Sequence, residues 1–221
     1  MITKDVRTYL INNYSEYFDT ITDMSKSDSG KCLVRDERKL YNFDKITREL
    51  YEIKTPESAD SIYASDRKVF FVEYKSGFKK RITKGNFDRK LMSCYEDNEK
   101  YCEAYATLFF KNQKNEDKIL RNSIQFKAVE SYMTFMEEIA AKCEEDAKRK
   151  LLVYCVVVDD YVDNMEDILN GLANKSSETN TITSIRQSLS RFCKTTKKNY
   201  YYDEIKVLSP HEFKEFVTQS M

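Results

Sequence analysis

The sequence predicts an α/β fold in which a small mixed β-sheet is flanked by helices. Segments with apolar residues at three- and four-residue steps, typical of amphipathic helices, alternate with short runs rich in β-branched and aromatic residues, typical of strands. The order is helices, a hairpin, helices, a strand, helices, a strand and a helix. With 221 residues, four glycines and two prolines, the chain fits a single domain spanning residues 1–221.

The first part of the chain predicts two helices and a β-hairpin. The segments are a helix over 3–24, a helix over 43–53, and strands over 60–64 and 69–75 joined by a polar stretch. Asn42 is a suitable N-cap for the second helix. That helix ends before Pro56, because proline disfavours a helical residue ahead of it.

The remainder predicts helices around two further strands. The segments are a mostly helical region over 86–147 interrupted near Asn112–Asn115, a strand over 151–158, helices near 165–173 and 182–194, a strand over 201–208 and a C-terminal helix. The run Leu151–Val158 is continuously apolar, as expected of a strand buried on both faces. Ser209 and Glu212 form a capping box around Pro210, which marks the start of the last helix.

Composition excludes several classes of site. Lysine plus arginine and aspartate plus glutamate both total 37, so attraction to nucleic acid by overall charge is excluded. The six cysteines are irregularly spaced and His211 is the single histidine, which argues for free thiols and against zinc sites or histidine-based triads. No apolar run approaches the length of a membrane span, and the polar N-terminus lacks a signal-peptide core, so we expect a cytoplasmic protein.

The hairpin places three charged residues together. If its turn centres on Asp66-Arg67, Asp60 lies directly across from Glu73, with Cβ atoms about 5 Å apart. Lys75 is two residues beyond Glu73 and therefore points to the same face. Two carboxylates and one ammonium are thus predicted to converge at the open end of the hairpin.

A divalent cation would explain this arrangement. Facing carboxylates repel, and an unpaired buried ion is unfavourable by several kcal/mol. Mg²⁺ is typically held by one or two carboxylates together with water and substrate phosphate, and Lys75 would then act on the attacking water or the transition state. The alternative is an edge hairpin in which Glu73 and Lys75 face solvent and Asp60 caps a loop.

These residues resemble a known nuclease motif. The hairpin resembles the PD-(D/E)XK superfamily in the segments Pro56–Tyr63 and Val69–Gly77. Looser matches lie at Phe43-Asp44-Lys45, in the helix around Lys127 and at Tyr202–Leu208. The resemblance implies a restriction-endonuclease-like core and a Mg²⁺ or Mn²⁺ cofactor. It also implies that Asp60 and Glu73 are metal ligands and Lys75 is the catalytic lysine. Ala59 stands where the proline of the superfamily's name would be.

The superfamily usually adds an upstream acidic residue to the site. Glu49, on the predicted 43–53 helix, is our choice for this catalytic position, with Asp44, Glu52 and Glu16 as competitors. The alternative is that Glu49 is a carboxylate on a solvated helix face.

Two basic clusters are candidates for contact with phosphate. The first follows the hairpin and contains Lys79, Lys80, Arg81, Lys84, Arg89 and Lys90; the second contains Arg186, Arg191, Lys194, Lys197 and Lys198. Lys127, which begins the long amphipathic helix with Gln125, is a further candidate. Each cluster could instead be a solvated face.

These observations lead to a functional hypothesis. The resemblance implies a metal-dependent endonuclease or exonuclease acting on nucleic acid, DNA rather than RNA, in phage–host conflict or DNA processing. A homodimer is a further option for the partners, and no membrane is expected. The alternatives are a non-catalytic binding or regulatory member of the fold and a hydrolase of RNA or nucleotides.

Overall fold

One mixed sheet organises the protein. The computed structural model describes residues 5–27, 30–51, 53–76, 99–159, 178–194 and 200–220. Their strands form a six-stranded sheet in chain order: β1 Phe18–Thr20, β2 Lys39–Asn42, β3 Ser61–Ala64, β4 Lys68–Lys75, β5 Leu151–Val158 and β6 Glu204–Leu208. Neighbours from β1 to β4 are antiparallel, whereas β4, β5 and β6 are parallel. The predicted α/β class with a mixed sheet is confirmed.

Helices cover both faces of the sheet. In chain order, the helices of the described residues are α1 Val6–Tyr14, α2 Ile21–Met24, α3 Phe43–Leu50, α4 Glu99–Thr134, α5 Glu144–Ala147, α6 Glu178–Ser190 and α7 Pro210–Ser220. A 3₁₀ turn, Ser15–Tyr17, precedes β1, and the π segment Phe135–Ile139 and 3₁₀ turn Ala140–Lys142 join α4 to α5. Among the helices of the described ranges, none is both long and apolar enough to cross a membrane.

Alternation along the central strands divides the core into two layers. Val69 and Phe71 of β4 pack in the layer that holds the buried faces of α1, α3, α4 and α6. Phe70 and Val72 pack in the other layer, which α2 and α7 cover. Both faces of β5 are buried in the same way, as its continuous apolar sequence predicted. Glu73, two residues beyond Phe71, therefore faces the layer of α4.

Several predicted elements are confirmed. The fifth strand has the predicted bounds, and the hairpin strands differ from the prediction by one residue each. Asn42 caps α3, since its Oδ1 accepts a hydrogen bond from Lys45 N at 3.0 Å. The capping box of α7 is also present: Ser209 N donates to Glu212 Oε2 at 2.8 Å, and Glu212 N donates to Ser209 Oγ at 3.3 Å.

The single helix predicted over 3–24 is wrong. The chain leaves the helix after Tyr14, and Phe18–Thr20 pairs with β2, with Phe18 opposite Tyr41. Thr20 then caps α2 by accepting a hydrogen bond from Asp23 N at 3.0 Å. Aromatic and β-branched residues suit a strand as well as an amphipathic helix, so the tertiary pairing with β2 decides the outcome.

Other predicted bounds also require correction. The predicted interruption at Asn112–Asn115 is wrong, because α4 runs through it; the stretch contains neither glycine nor proline. The last strand begins at Glu204 rather than residue 201, and the helix predicted over 182–194 is α6, Glu178–Ser190. The helix predicted over 165–173 lies outside the described residues.

Candidate active site

The hairpin has the register that the sequence predicted. Ser61 pairs with Val72 and Ala64 pairs with Val69, so one further step places Asp60 opposite Glu73. Asp60 immediately precedes β3, whereas Glu73 lies within β4. The two carboxylates therefore come from neighbouring antiparallel segments at the open end of the hairpin.

Asp60 is fixed through its backbone and its carboxylate. Its carbonyl oxygen accepts a hydrogen bond from Phe43 N, the first residue of α3, at 3.1 Å. Its Oδ2 accepts one from Tyr74 N at 2.6 Å. The preceding residue, Ala59, donates its N–H to Ser131 Oγ of α4 at 2.7 Å. The side chain is 22% exposed, so Asp60 is the more accessible carboxylate of the pair.

Glu73 is fully buried and only half satisfied. Its Oε2 accepts a hydrogen bond from Lys127 Nζ at 2.9 Å. Its Oε1 is buried without a hydrogen-bond partner among the described residues, and Lys75 Nζ lies 3.7 Å from it. Buried carboxylate oxygens normally find a donor or a cation, so this atom marks a place where a positively charged group would be stabilised.

Two lysines supply the positive charge. Lys127 Nζ of α4 donates to Asp60 Oδ1 at 3.0 Å as well as to Glu73 Oε2, so its ammonium bridges the carboxylates. Lys75 Nζ donates to Ser123 Oγ of α4 at 3.2 Å. The structure thus brings Asp60, Glu73 and Lys75 together as the hairpin register predicted, and adds Lys127.

Burial and charge shift the pKa values of these groups. Burial first, and then the Asp60 charge, raise the pKa of Glu73 to about 8. Burial also raises the pKa of Asp60, against the opposing effect of Lys127. Burial alone would lower the pKa of Lys127, but the Glu73 and Asp60 carboxylates together raise it above its ordinary value. Glu73 therefore holds a proton more readily than an ordinary glutamate does, and the carboxylates favour the charged form of Lys127.

The structure does not bring Glu49 to this pair. Glu49 is exposed on α3 and accepts a hydrogen bond from the Tyr17 hydroxyl. Its competitor Asp44 accepts one from Ser58 Oγ at 3.0 Å and pairs with Arg48 at 2.7 Å. Among the described residues, no group of three histidine, cysteine, aspartate or glutamate side chains is placed to hold a metal. The catalytic assignment of Glu49 has no geometric support.

The predicted phosphate contacts fall into three groups. Lys79, Lys80, Arg81, Lys84 and Lys90 lie outside the described residues. Lys127 lies beside both carboxylates rather than on an open surface, with 14% of its side chain exposed. Arg191 of the second cluster donates to Gln125 Oε1, and Gln125 Nε2 donates to Ser188 O at 3.4 Å. Gln125 therefore joins α4 to the segment around α6.

Sequence reasoning named Lys127 of α4 only as a candidate phosphate contact, and it missed Ser123 and Ser131 of the same helix. Ser123, Lys127 and Ser131 contact Lys75, the carboxylate pair and the backbone before Asp60, respectively. Their spacing of four residues places them on one line along the helix. A polar line next to the buried apolar face of Ile124 and Ala128 is the signal that could have identified them.

Comparison with protein-family models, curated proteins and solved structures finds no match to this chain. The resemblance to the PD-(D/E)XK superfamily therefore stays a prediction, and the argument for function depends on the site itself.

Proposed function

We propose that the protein is a Mg²⁺- or Mn²⁺-dependent nuclease that hydrolyses phosphodiester bonds at Asp60, Glu73 and Lys75. The observation that carries this proposal is that Asp60 Oδ1 and Glu73 Oε2 converge on one position for a cation, where the Lys127 ammonium lies 3.0 and 2.9 Å from them. The neighbouring Asp60 adds a second carboxylate that is partly open to solvent. Together the two carboxylates favour a cation site next to the surface.

The residues present suit a hard divalent cation. Carboxylate oxygens are the donors that Mg²⁺ prefers, and one or two carboxylates suffice when water and substrate phosphates complete the coordination. Asp60 and Glu73 would hold the ion. A bound Mg²⁺ or Mn²⁺ would polarise the scissile phosphate and lower the pKa of a water molecule beside it.

The side chains around the pair would supply the remaining functions. Lys75, held by Ser123, points to the same side of the sheet as Glu73, where it can orient the attacking water or stabilise charge on the phosphate. The Tyr74 N–H fixes Oδ2 of Asp60, whereas Oδ1 accepts a hydrogen bond from Lys127.

Nucleic acid is the proposed substrate, DNA rather than RNA. Because the net charge is zero, binding must depend on local charge, and Lys79, Lys80, Arg81, Lys84 and Lys90 follow Lys75 closely along the chain. We place this activity in the cytoplasm, in DNA processing or phage–host conflict, with a homodimer as one form of the enzyme.

One observation favours a second candidate, a non-catalytic member of the same fold. Lys127 and Lys75 already lie against the two carboxyl groups, so their ammonium groups stabilise the pair without any metal. Buried ion networks of this kind occur for structural reasons alone. A binding or regulatory module would retain the four side chains and cleave nothing.

A cleavage assay separates these candidates. Plasmid DNA, single-stranded DNA and RNA are incubated with the protein in Mn²⁺, Mg²⁺ or EDTA, and the RNA arm tests the alternative of an RNA-directed hydrolase. Lys75→Ala is expected to lower the rate by roughly 10²-fold or more, because a positioned charge at the transition state is lost.

Lys68→Ala is the matched control. Lys68 lies in the same strand but at its opposite end, where it pairs with Glu204 at 2.8 Å. It should leave cleavage unchanged. If wild-type protein cleaves none of the substrates with any metal, the enzyme is excluded and the binding module remains.

A further inference from the structure

Lys127 occupies the gap between the two carboxylates. Its Nζ lies 3.0 Å from Asp60 Oδ1 and 2.9 Å from Glu73 Oε2. A cation that binds both of these oxygens must lie between them, where the ammonium lies now. Two cations in that gap would repel strongly in a poorly hydrated environment, so occupancy by one excludes the other.

Lys75 differs from Lys127 in this respect. Lys75 Nζ lies 3.7 Å from Glu73 Oε1, on the other oxygen of that carboxylate, and is hydrogen-bonded to Ser123. It does not bridge the carboxylates. The two lysines carry the same charge close to the same acid, but Lys127 alone of the two stands between Asp60 and Glu73.

We propose that Lys127 is an internal competitor of the divalent ion, and that metal binding displaces its ammonium from the carboxylate pair. This inference rests on the proposed function, since it concerns the same metal. In the metal-free protein Lys127 offsets the repulsion between the carboxylates and keeps Glu73 compatible with burial. Metal entry therefore includes the breaking of two ammonium–carboxylate contacts, which weakens the measured affinity.

Displacement also gives Lys127 a second position. Glu73 is fully buried, whereas Asp60 is 22% exposed, so the ammonium leaves on the Asp60 side of the pair. A substrate phosphate would approach from that same side, where Asp60 is partly exposed. The released ammonium can pair with it, so that metal occupancy makes Lys127 available for phosphate binding.

Calorimetric Mn²⁺ titration of wild type, Lys127→Met and Lys75→Met tests the competition. Methionine removes the charge of either lysine while keeping a similar apolar length. Lys127→Met is expected to lower the Kd for Mn²⁺ by about 10-fold or more, the size of a typical coupling between two sites. Lys75→Met should lower it clearly less, because that change leaves the gap filled.

The outcomes distinguish this inference from the proposed function. If wild type binds Mn²⁺ and Lys127→Met binds it no more tightly than Lys75→Met does, the competition is refuted and the metal site stands. If no protein binds Mn²⁺, both proposals fail. Binding by Lys127→Met with none detectable in wild type would support the competition in its strongest form.

Lysine labelling of the wild type covers the case in which Lys127→Met does not fold. Reductive methylation followed by mass spectrometry is run in EDTA and in saturating Mg²⁺. Lys127 should be modified several-fold faster in Mg²⁺, because the released amine is more exposed and no longer contacts the two carboxylates. Lys68 serves as the internal reference. Equal protection of Lys127 in both buffers would overturn the proposal.

Discussion

Asp60 and Glu73 face each other, but their surroundings differ. Asp60 is partly open and takes three hydrogen bonds through its backbone carbonyl and carboxylate, whereas Glu73 is sealed and leaves Oε1 without a hydrogen-bond partner in the described ranges. Protonation of the buried Glu73 therefore has the larger effect on the free energy of unfolding. Asp60 is the carboxylate that solvent can reach. The difference arises because Asp60 lies just before the start of β3, whereas Glu73 lies within β4.

The raised pKa of Glu73 predicts a decrease in stability with pH in metal-free buffer. Its folded pKa of about 8 exceeds the ordinary 4.5, so the folded state binds the proton more tightly than the unfolded chain does. The resulting stabilisation is complete below the ordinary pKa and is lost as pH rises through about 8. Asp60, whose pKa is also raised, acts with the same sign.

Urea unfolding at several pH values in EDTA measures this effect. The free energy of unfolding of the wild type should fall by up to about 1.4 kcal/mol per pH unit across the window. Glu73→Gln should have a flatter profile, while Glu137→Gln, at an exposed helix position, should keep the wild-type profile. A Glu73→Gln profile parallel to wild type would show that Glu73 titrates normally.

At the scale of elements, α4 holds the site against the hairpin. Ser131 Oγ accepts the hydrogen bond of Ala59 N at 2.7 Å, and both residues are buried. Lys127, one helical turn before Ser131, donates hydrogen bonds to the Asp60 and Glu73 carboxylates. The helix therefore fixes both the backbone that precedes Asp60 and the charge beside it.

Ser131→Ala tests this support. Loss of the acceptor leaves a buried N–H unsatisfied, which should lower the free energy of unfolding by about 1–3 kcal/mol. The Mn²⁺ affinity should fall as well, because the segment carrying Asp60 loosens. Ser76→Ala, an exposed serine just after β4, is the control and should change neither quantity. A full loss of stability with unchanged metal affinity would separate Ser131 from the site.

Elements with a strong local pattern could be predicted from the sequence. The hairpin turn specified the register of Asp60 and Glu73, and the apolar run of β5 defined a fully buried strand. The short strands β1 and β2 could not be recognised, because three or four residues carry little periodicity and their pairing is decided by distant residues. The contact of Lys127 with the pair is of the same kind, since 54 residues separate it from Glu73.

At the scale of the whole molecule, the net charge of zero gives no long-range attraction for nucleic acid. The 37 basic and 37 acidic residues cancel, so any steering of nucleic acid depends on local groups. At the site itself Lys75 and Lys127 lie against two carboxyl groups, and the proposed displacement of Lys127 by a divalent cation would leave local positive charge near the pair. The proposed nuclease activity therefore depends on whether the carboxylate pair binds a metal.

An electron paramagnetic resonance titration with Mn²⁺ tests this claim most directly, because the signal of aqueous Mn²⁺ decreases as the ion binds protein. Wild type and Asp60→Asn are compared, with Asp66→Asn, an exposed aspartate of the hairpin turn, as the control. The account predicts that wild type and Asp66→Asn remove the aqueous signal equally and that Asp60→Asn does not. Identical titrations of wild type and Asp60→Asn would contradict it.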